Sequence, residues 1–115
     1  MNQVIENIKG KLVEDLKKIF KDKLDKIIIY GSYARGNEDN ESDIDVMVLT
    51  KEPDELTKQY DDEINKLSFE LDMKYDIVIS IIIKNSAHFY NWIDHLPFST
   101  NVVKEGVVLY GWEPN

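Results

Sequence analysis

Gly31-Ser32-Tyr33-Ala34-Arg35-Gly36, followed after a polar loop by Ser42-Asp43-Ile44-Asp45-Val46-Met47-Val48, is the stretch on which the reading of the fold turns. The apolar run Ile27-Ile28-Ile29-Tyr30 ahead of it stops at Gly31, as a buried strand stops where it enters a turn. Ser32 is placed to cap a short helix, which aims backbone N–H groups and a hydroxyl at whatever lies above the turn. Asn37 to Glu41 lead the chain back into a second strand from about Asp43 to Leu49. Side chains alternate along a strand, so Asp43 and Asp45 share one face while Ile44 and Val46 share the other. Paired carboxylates beside a core repel one another, and a divalent cation offsets that cost. Magnesium, a hard ion, takes carboxylate oxygens together with nucleotide phosphates. The stretch predicts a phosphate-cradling turn next to a metal-binding carboxylate pair.

Upstream, residues 3–22 carry Val4, Ile8, Leu12, Leu16 and Ile19/Phe20 at helical spacing, with lysines and acids elsewhere. Downstream, Pro53 marks a helix start, and Leu56, Tyr60, Ile64, Leu67 and Leu71 line one face over 54–72. That helix leads to a third strand, Tyr75-Asp76-Ile77-Val78-Ile79-Ser80, reaching toward Ile83. A strand–helix–strand crossover implies that the second and third strands run parallel. It also puts Asp76 at the opening of the third strand, beside the Asp43/Asp45 pair. Asp72 competes for that role but falls at a helix end. Residues 84–95 read as an aromatic-rich helix stopped by Pro97, residues 99–105 as a further helical turn ended by Gly106, and Val107-Val108-Leu109-Tyr110 as a closing strand. No internal repeat, linker or low-complexity segment interrupts the chain.

The 115 residues fit one domain, 1–115, and 43% hydrophobic content is that of an ordinary globular protein. No apolar run approaches the length of a membrane span, and the start Met1-Asn2-Gln3-Val4-Ile5-Glu6 lacks the pattern of a signal peptide. Without cysteine, the expectation is a reducing cytoplasm with neither disulfides nor thiolate metal sites. Fourteen basic against 22 acidic residues give a net charge of −8, which disfavours a long nucleic acid as substrate. It suits a metal-chelated nucleotide or a basic protein partner. Arg35, the only arginine, sits inside the decisive stretch, and guanidinium matches phosphate oxygens bidentately. A salt bridge to Glu38, Asp39 or Glu41 is its competing reading.

Gly-Ser-x-Ala-x-Gly followed by Ser-Asp-x-Asp-x-x-Val resembles the signature of the DNA polymerase β-type nucleotidyltransferase superfamily. The short chain is similar to its minimal nucleotidyltransferase (MNT) branch, as is the ending Lys104-Glu105-Gly106-Val107-Val108-Leu109-Tyr110. The resemblance implies an α/β (α+β) nucleotidyltransferase fold, a short mixed sheet backed by helices. It implies that Gly31, Ser32, Arg35 and Ser42 bind the nucleotide, and that Asp43, Asp45 and Asp76 are the catalytic metal ligands. Tyr33 departs from the pattern, standing where many members carry arginine. The implied activity is transfer of a nucleoside monophosphate, AMP from ATP, to a hydroxyl. The implied acceptor is a tyrosine of a HEPN-domain toxin, to which this chain would be the antitoxin.

Phosphoryl transfer then sets the expected roles. One Mg2+ on Asp43 and Asp45 grips the triphosphate, and a second ion about 3.5–4 Å away, shared with Asp76, activates the acceptor hydroxyl. Asp76 is also placed to take the acceptor proton. No covalent intermediate is expected. Two rivals stand beside this reading: a non-catalytic antitoxin that binds its partner, and a small-molecule transferase of the aminoglycoside-modifying kind. Other motifs fail. Gly31 and Gly36 have Walker A spacing, but Asn37-Glu38 stand where Lys-Ser/Thr is required. In the Asp39-x-Glu41-x-Asp43 pattern Ile44 replaces the glycine of a calcium loop. His88 and His95 lack zinc spacing and read as packed or surface residues.

Overall fold

A computed structural model of the chain describes residues 3–35, 43–91, 102 and 104–111. Helix α1 (Gln3–Phe20) buries Ile5, Ile8, Leu12, Leu16 and Phe20, the stripe that three- and four-residue spacing dictates. A 3-10 turn over Lys21–Lys23 leads into β1 (Leu24–Tyr30), which is longer than its apolar run because Leu24 pairs with Thr50 across a local irregularity. Helix α2 (Ser32–Arg35) is a single turn, and β2 (Ile44–Thr50) returns antiparallel to β1. Helix α3 (Asp61–Tyr75) crosses over to β3 (Ile79–Asn85), which lies parallel to β2 as the crossover rule requires. Helix α4 (Ser86–Asn91) and β4 (Val107–Tyr110) follow, β4 antiparallel to β1. The result is a mixed four-stranded sheet in the order β3-β2-β1-β4.

Strand alternation divides the core between the two sheet faces. Ile27, Ile29, Ile44, Val46, Val48 and Ile79 face α1 and α3 in the larger cluster. Ile28, Tyr30, Met47 and Leu49 face Phe89 of α4 and Val102 in the smaller one. Tyr33 and Ala34 of α2 pack against the larger cluster, which ties the turn after β1 to the core. Lys26 reaches the Tyr90 ring of α4, 5.5 Å from its centroid, a cation–π contact across the second face.

Three expectations need correcting. The helix expected over 54–72 begins as a 3-10 turn, Asp54–Tyr60, and becomes α-helical only at Asp61. Its threefold period carries Leu56 off the apolar face, leaving it 50% exposed. The third strand begins at Ile79, because α3 runs on through Tyr75 and Asp76 closes it in the left-handed region at φ 53, ψ 47. Aspartate is among the few side chains that tolerate that conformation. Helix α4 starts at Ser86, since Asn85 still belongs to β3; its continuation toward residue 95 lies outside the described residues.

At the end of the sheet where β2 and β3 finish, Asn85 ties several segments together. Its N–H donates to Asp54 Oδ1 (2.8 Å), its side-chain amide donates to the Glu52 carbonyl (2.8 Å), and its Oδ1 accepts the His88 N–H (2.9 Å) as an N-cap of α4. His88 Nδ1 pairs with Asp54 Oδ2. Burial raises the Asp54 carboxyl, but the hydrogen bonds from His88 and Asn85 outweigh it and hold the group below the usual carboxylate range. A depressed folded-state pKa stabilises the fold above the ordinary aspartate value, about 4, and that contribution fades as pH falls through the lower value. Melting temperature is therefore expected to drop below about pH 4 more steeply in the wild type than in Asp54→Asn. Parallel pH series by circular dichroism would check this.

Gly106 sits where the chain turns into β4, its N–H donating to the Val102 carbonyl at 2.9 Å. A Cβ there would run into that same carbonyl oxygen and into Ile28 Cγ2. Backbone cannot step aside as a flexible side chain can. Gly106→Ala is expected to cost about 1–3 kcal/mol, the usual range for overpacking, read as a lower urea midpoint with unchanged slope.

Candidate active site

The C-terminal end of β1 and the N-terminal ends of β2 and β3 meet at one edge of the sheet. Gly31 leaves β1 at φ +77, and the turn is closed by the Ala34 N–H donating to the Gly31 carbonyl at 3.1 Å. A side chain on Gly31 has no room: a Cβ would lie 2.5 Å from Asp45 Oδ2. The turn thus closes down directly on one of the two aspartates. Only glycine satisfies both the backbone angle and the approach.

Asp45 is half-buried and Asp43 exposed. Tyr30 is the antiparallel partner of Asp45, on the same face by alternation. Its phenol is pushed up to about 12, by burial first and by the Asp45 charge second. Tyr30 therefore stays neutral at working pH beside a carboxylate whose field it feels. The hairpin register alone could have revealed this neighbour, since Tyr30 is the last residue before the turn. Tyr33, in the position expected to lack a phosphate contact, is 7% exposed and part of the core under α1 and α3. It anchors the turn instead of facing its contents.

On the other flank of Asp45, β3 places Ser80 in register, and Ser80 is exposed. The Val78 carbonyl accepts the Ile44 N–H at 2.9 Å, which fixes the start of this pairing. Asp76 lies before it, exposed, at the end of α3 with its N–H donating to the Asp72 carbonyl at 2.9 Å. Asp72 has structural work, its Oδ1 accepting the Ile79 N–H at 2.9 Å. Asp76 thus reaches the same edge as Asp43 and Asp45 without joining their strand row. Among the described residues no three His, Cys, Asp or Glu side chains gather into a metal cluster. Ser32 and Arg35 lie in α2 next to Gly31. Ser42 and the acidic loop of residues 37–41 lie outside the described residues.

The donor chemistry fits one hard cation. Asp45 in β2 and Asp43 just before it could supply the one or two protein oxygens that magnesium takes when phosphates and water complete its shell. A separate cleft of about 490 Å³ between α1 and β4 is rimmed by Lys9, Lys17 and Lys18. Its floor includes Leu109, which packs on the opposite sheet face from Asp45, so it is a different place in the molecule.

At the end of the mixed sheet a glycine turn thus closes onto Asp45 of β2. The chain belongs to the nucleotidyltransferase family: the family model described as Nucleotidyltransferase domain matches residues 9–109. The chain is 43% identical over 94 residues to a Methanocaldococcus jannaschii protein named as a candidate protein adenylyltransferase, covering 82% of this chain and 92% of that one. A second such protein from the same organism is 36% identical over 101 residues, covering 85% and 90%. Among solved structures, a toxin–antitoxin crystallised with AMP-PNP superposes with a TM-score of 0.61 at 21% identity, over 91% of this chain and 74% of that one. A tri-AMPylated Shewanella oneidensis HEPN toxin in complex with its MNT antitoxin gives 0.56 at 21% identity, over 93% and 72%. At that identity the likeness is one of fold. No described helix is long and apolar enough to cross a membrane.

Proposed function

We propose that this nucleotidyltransferase transfers AMP from Mg2+-bound ATP to a tyrosine of a HEPN-domain toxin, and so acts as its antitoxin. The observation that supports the reading is the close approach of the Gly31 turn to the Asp45 carboxylate, a glycine turn beside a side chain that could hold the ion. Asp43 and Asp45 would hold the ion, while Gly31 and Ser32 admit the triphosphate and Arg35 and Ser42 border it. When bound, magnesium neutralises charge on the triphosphate and on the departing pyrophosphate. The acceptor oxygen attacks the α-phosphorus, the bond to the α–β bridging oxygen breaks, and pyrophosphate leaves with the electron pair. The acceptor proton goes to a base or to water, and the exposed Asp76 stands at this edge to receive it. A phenol, with pKa near 10, gives up that proton far more readily than an aliphatic alcohol.

The relatives' name as protein adenylyltransferases and the AMPylated toxin of one structural neighbour support this choice of nucleotide and acceptor. The test incubates the chain with ATP labelled at the α-phosphate, Mg2+ and a HEPN-domain toxin. Label on a toxin tyrosine, absent with Asp45→Asn, is the expected result. Neutralisation of the toxin by Asp45→Asn without any label would instead favour the binding-module reading. Label on small molecules alone would favour the aminoglycoside-type one.

A further inference from the structure

We infer that the acceptor hydroxyl arrives on an extended segment of the acceptor protein, which adds as a fifth strand to the outer edge of β3. This rests on the protein-transferase reading above and deepens it. The ladder between β2 and β3 sets which main-chain groups face outward. In a parallel pair alternate residues turn both N–H and C=O to the neighbour, and those between turn both away. The Ile44 N–H donates to the Val78 carbonyl, so Ser80, Ile82 and Lys84 face β2, whereas Ile79, Ile81, Ile83 and Asn85 face outward. The side-chain bonds agree: the outward N–H of Ile79 donates to Asp72 Oδ1 at 2.9 Å, and that of Asn85 to Asp54 Oδ1 at 2.8 Å. Carboxylates thus blunt both ends of an edge that would otherwise invite unselective pairing. Between them, among the described residues, nothing pairs with the outward main-chain groups of Ile81 and Ile83.

A row of outward N–H and C=O groups is complementary to another extended backbone. The window admits a short segment, since the caps at Ile79 and Asn85 stop the ladder at either end. Its flank on α3 is apolar: Phe69 stands three residues before Asp72, on the same side of the helix as that cap, and is 64% exposed. Val78, just ahead of β3, is exposed as well. The chain's net charge is −8, and Asp54, Asp72 and Asp76 stand along this edge with Lys84, so a segment carrying basic residues fits best. The edge is also continuous with the candidate active site, because β3 starts beside Asp45 with Ser80 in register. Side chains of an added strand alternate between the two sheet faces. One beside Ser80 would share the face and row of Asp45, two strand spacings or about 9.6 Å from it. Ser80 is small and exposed, which leaves the way across open to a phenol reaching the nucleotide. The residues on either side of that phenol turn toward Phe69.

Residue-by-residue amide hydrogen exchange tests this, with a HEPN-domain toxin as acceptor protein and an ATP analogue uncleavable between the α- and β-phosphates to hold the complex. Exchange at Ile81 and Ile83 should slow by about tenfold or more when toxin is added. Ser80 and Ile82, already bonded to β2, should change little. Ile83→Pro should raise the KM for the toxin about tenfold or more and leave affinity for the analogue unchanged. The Ile83 N–H is no part of the β2 ladder, so proline there spares the sheet, and a melting curve checks the fold. Phe69→Glu, on the surface, should raise the KM in the same direction without touching the strand. Toxin that is labelled from ATP while exchange at Ile81 and Ile83 stays unchanged would overturn the inference and leave the transferase reading intact. So would protection of these amides in the chain alone that grows with its concentration, because a second copy would then fill the edge. Absence of label on the toxin with the wild type would overturn the transferase reading itself, and the inference with it.

Discussion

Asp45→Asn is expected to lower the rate of nucleotide transfer by roughly a thousandfold or more, with the fold intact. Asparagine keeps the size of the side chain and one oxygen but loses the charge that the proposed cation needs. Metal stabilisation of a phosphoryl transition state is worth several kcal/mol, and each 1.36 kcal/mol is about tenfold in rate. Asp45 carries more of this than Asp43, because it is half-buried and lies against the turn, whereas Asp43 is exposed. A weaker loss in Asp43→Asn is the internal comparison. Asparagine keeps the shape of the half-buried side chain, so the variant should remain folded. Single-turnover rates and melting curves on the same preparations separate the two effects.

Gly31→Ala is expected to damage both stability and nucleotide binding. At φ +77 an alanine is strained, and its Cβ would stand 2.5 Å from Asp45 Oδ2. Left-handed strain costs about 1–3 kcal/mol, and the clash adds little because it falls on the far end of the Asp45 side chain, so a loss of about 1–3 kcal/mol follows. The clash is relieved only if the carboxylate swings away or the turn opens, and either movement pulls apart the two halves of the site. Affinity for an ATP analogue should fall by about a hundredfold or more, by the arithmetic of 1.4 kcal/mol per tenfold. Calorimetric titration checks the affinity, and urea unfolding checks the stability.

How much of this was legible in the sequence depended on how local the cause was. The Gly31 turn follows from a glycine after an apolar run, and the structure has it; alternation also sets Asp45 opposite to Ile44 and Val46, while Asp43 stands one residue before β2. The parallel pairing of the second and third strands follows from a crossover helix, which constrains handedness and direction over many residues. Asp76 was misplaced for an equally physical reason. The run Ile77-Val78-Ile79 has no period that separates an approach from a strand, and nothing local shows that α3 persists to Tyr75. Ser80 carried no signal among isoleucines, because its position matters only through a register set by the Ile44–Val78 hydrogen bond. Leu56 was lost to the difference between a 3.0- and a 3.6-residue turn. Tyr33 became intelligible only once α2 was seen resting on the core.

The most direct measurement of the central claim is an anomalous difference map from crystals grown with Mn2+ and the uncleavable ATP analogue. The account predicts a peak bridging the Asp43 and Asp45 carboxylates, with the triphosphate lying over the Gly31–Ser32 turn. Nucleotide seated instead in the lysine-rimmed cleft between α1 and β4, with no metal at the aspartates, would contradict it.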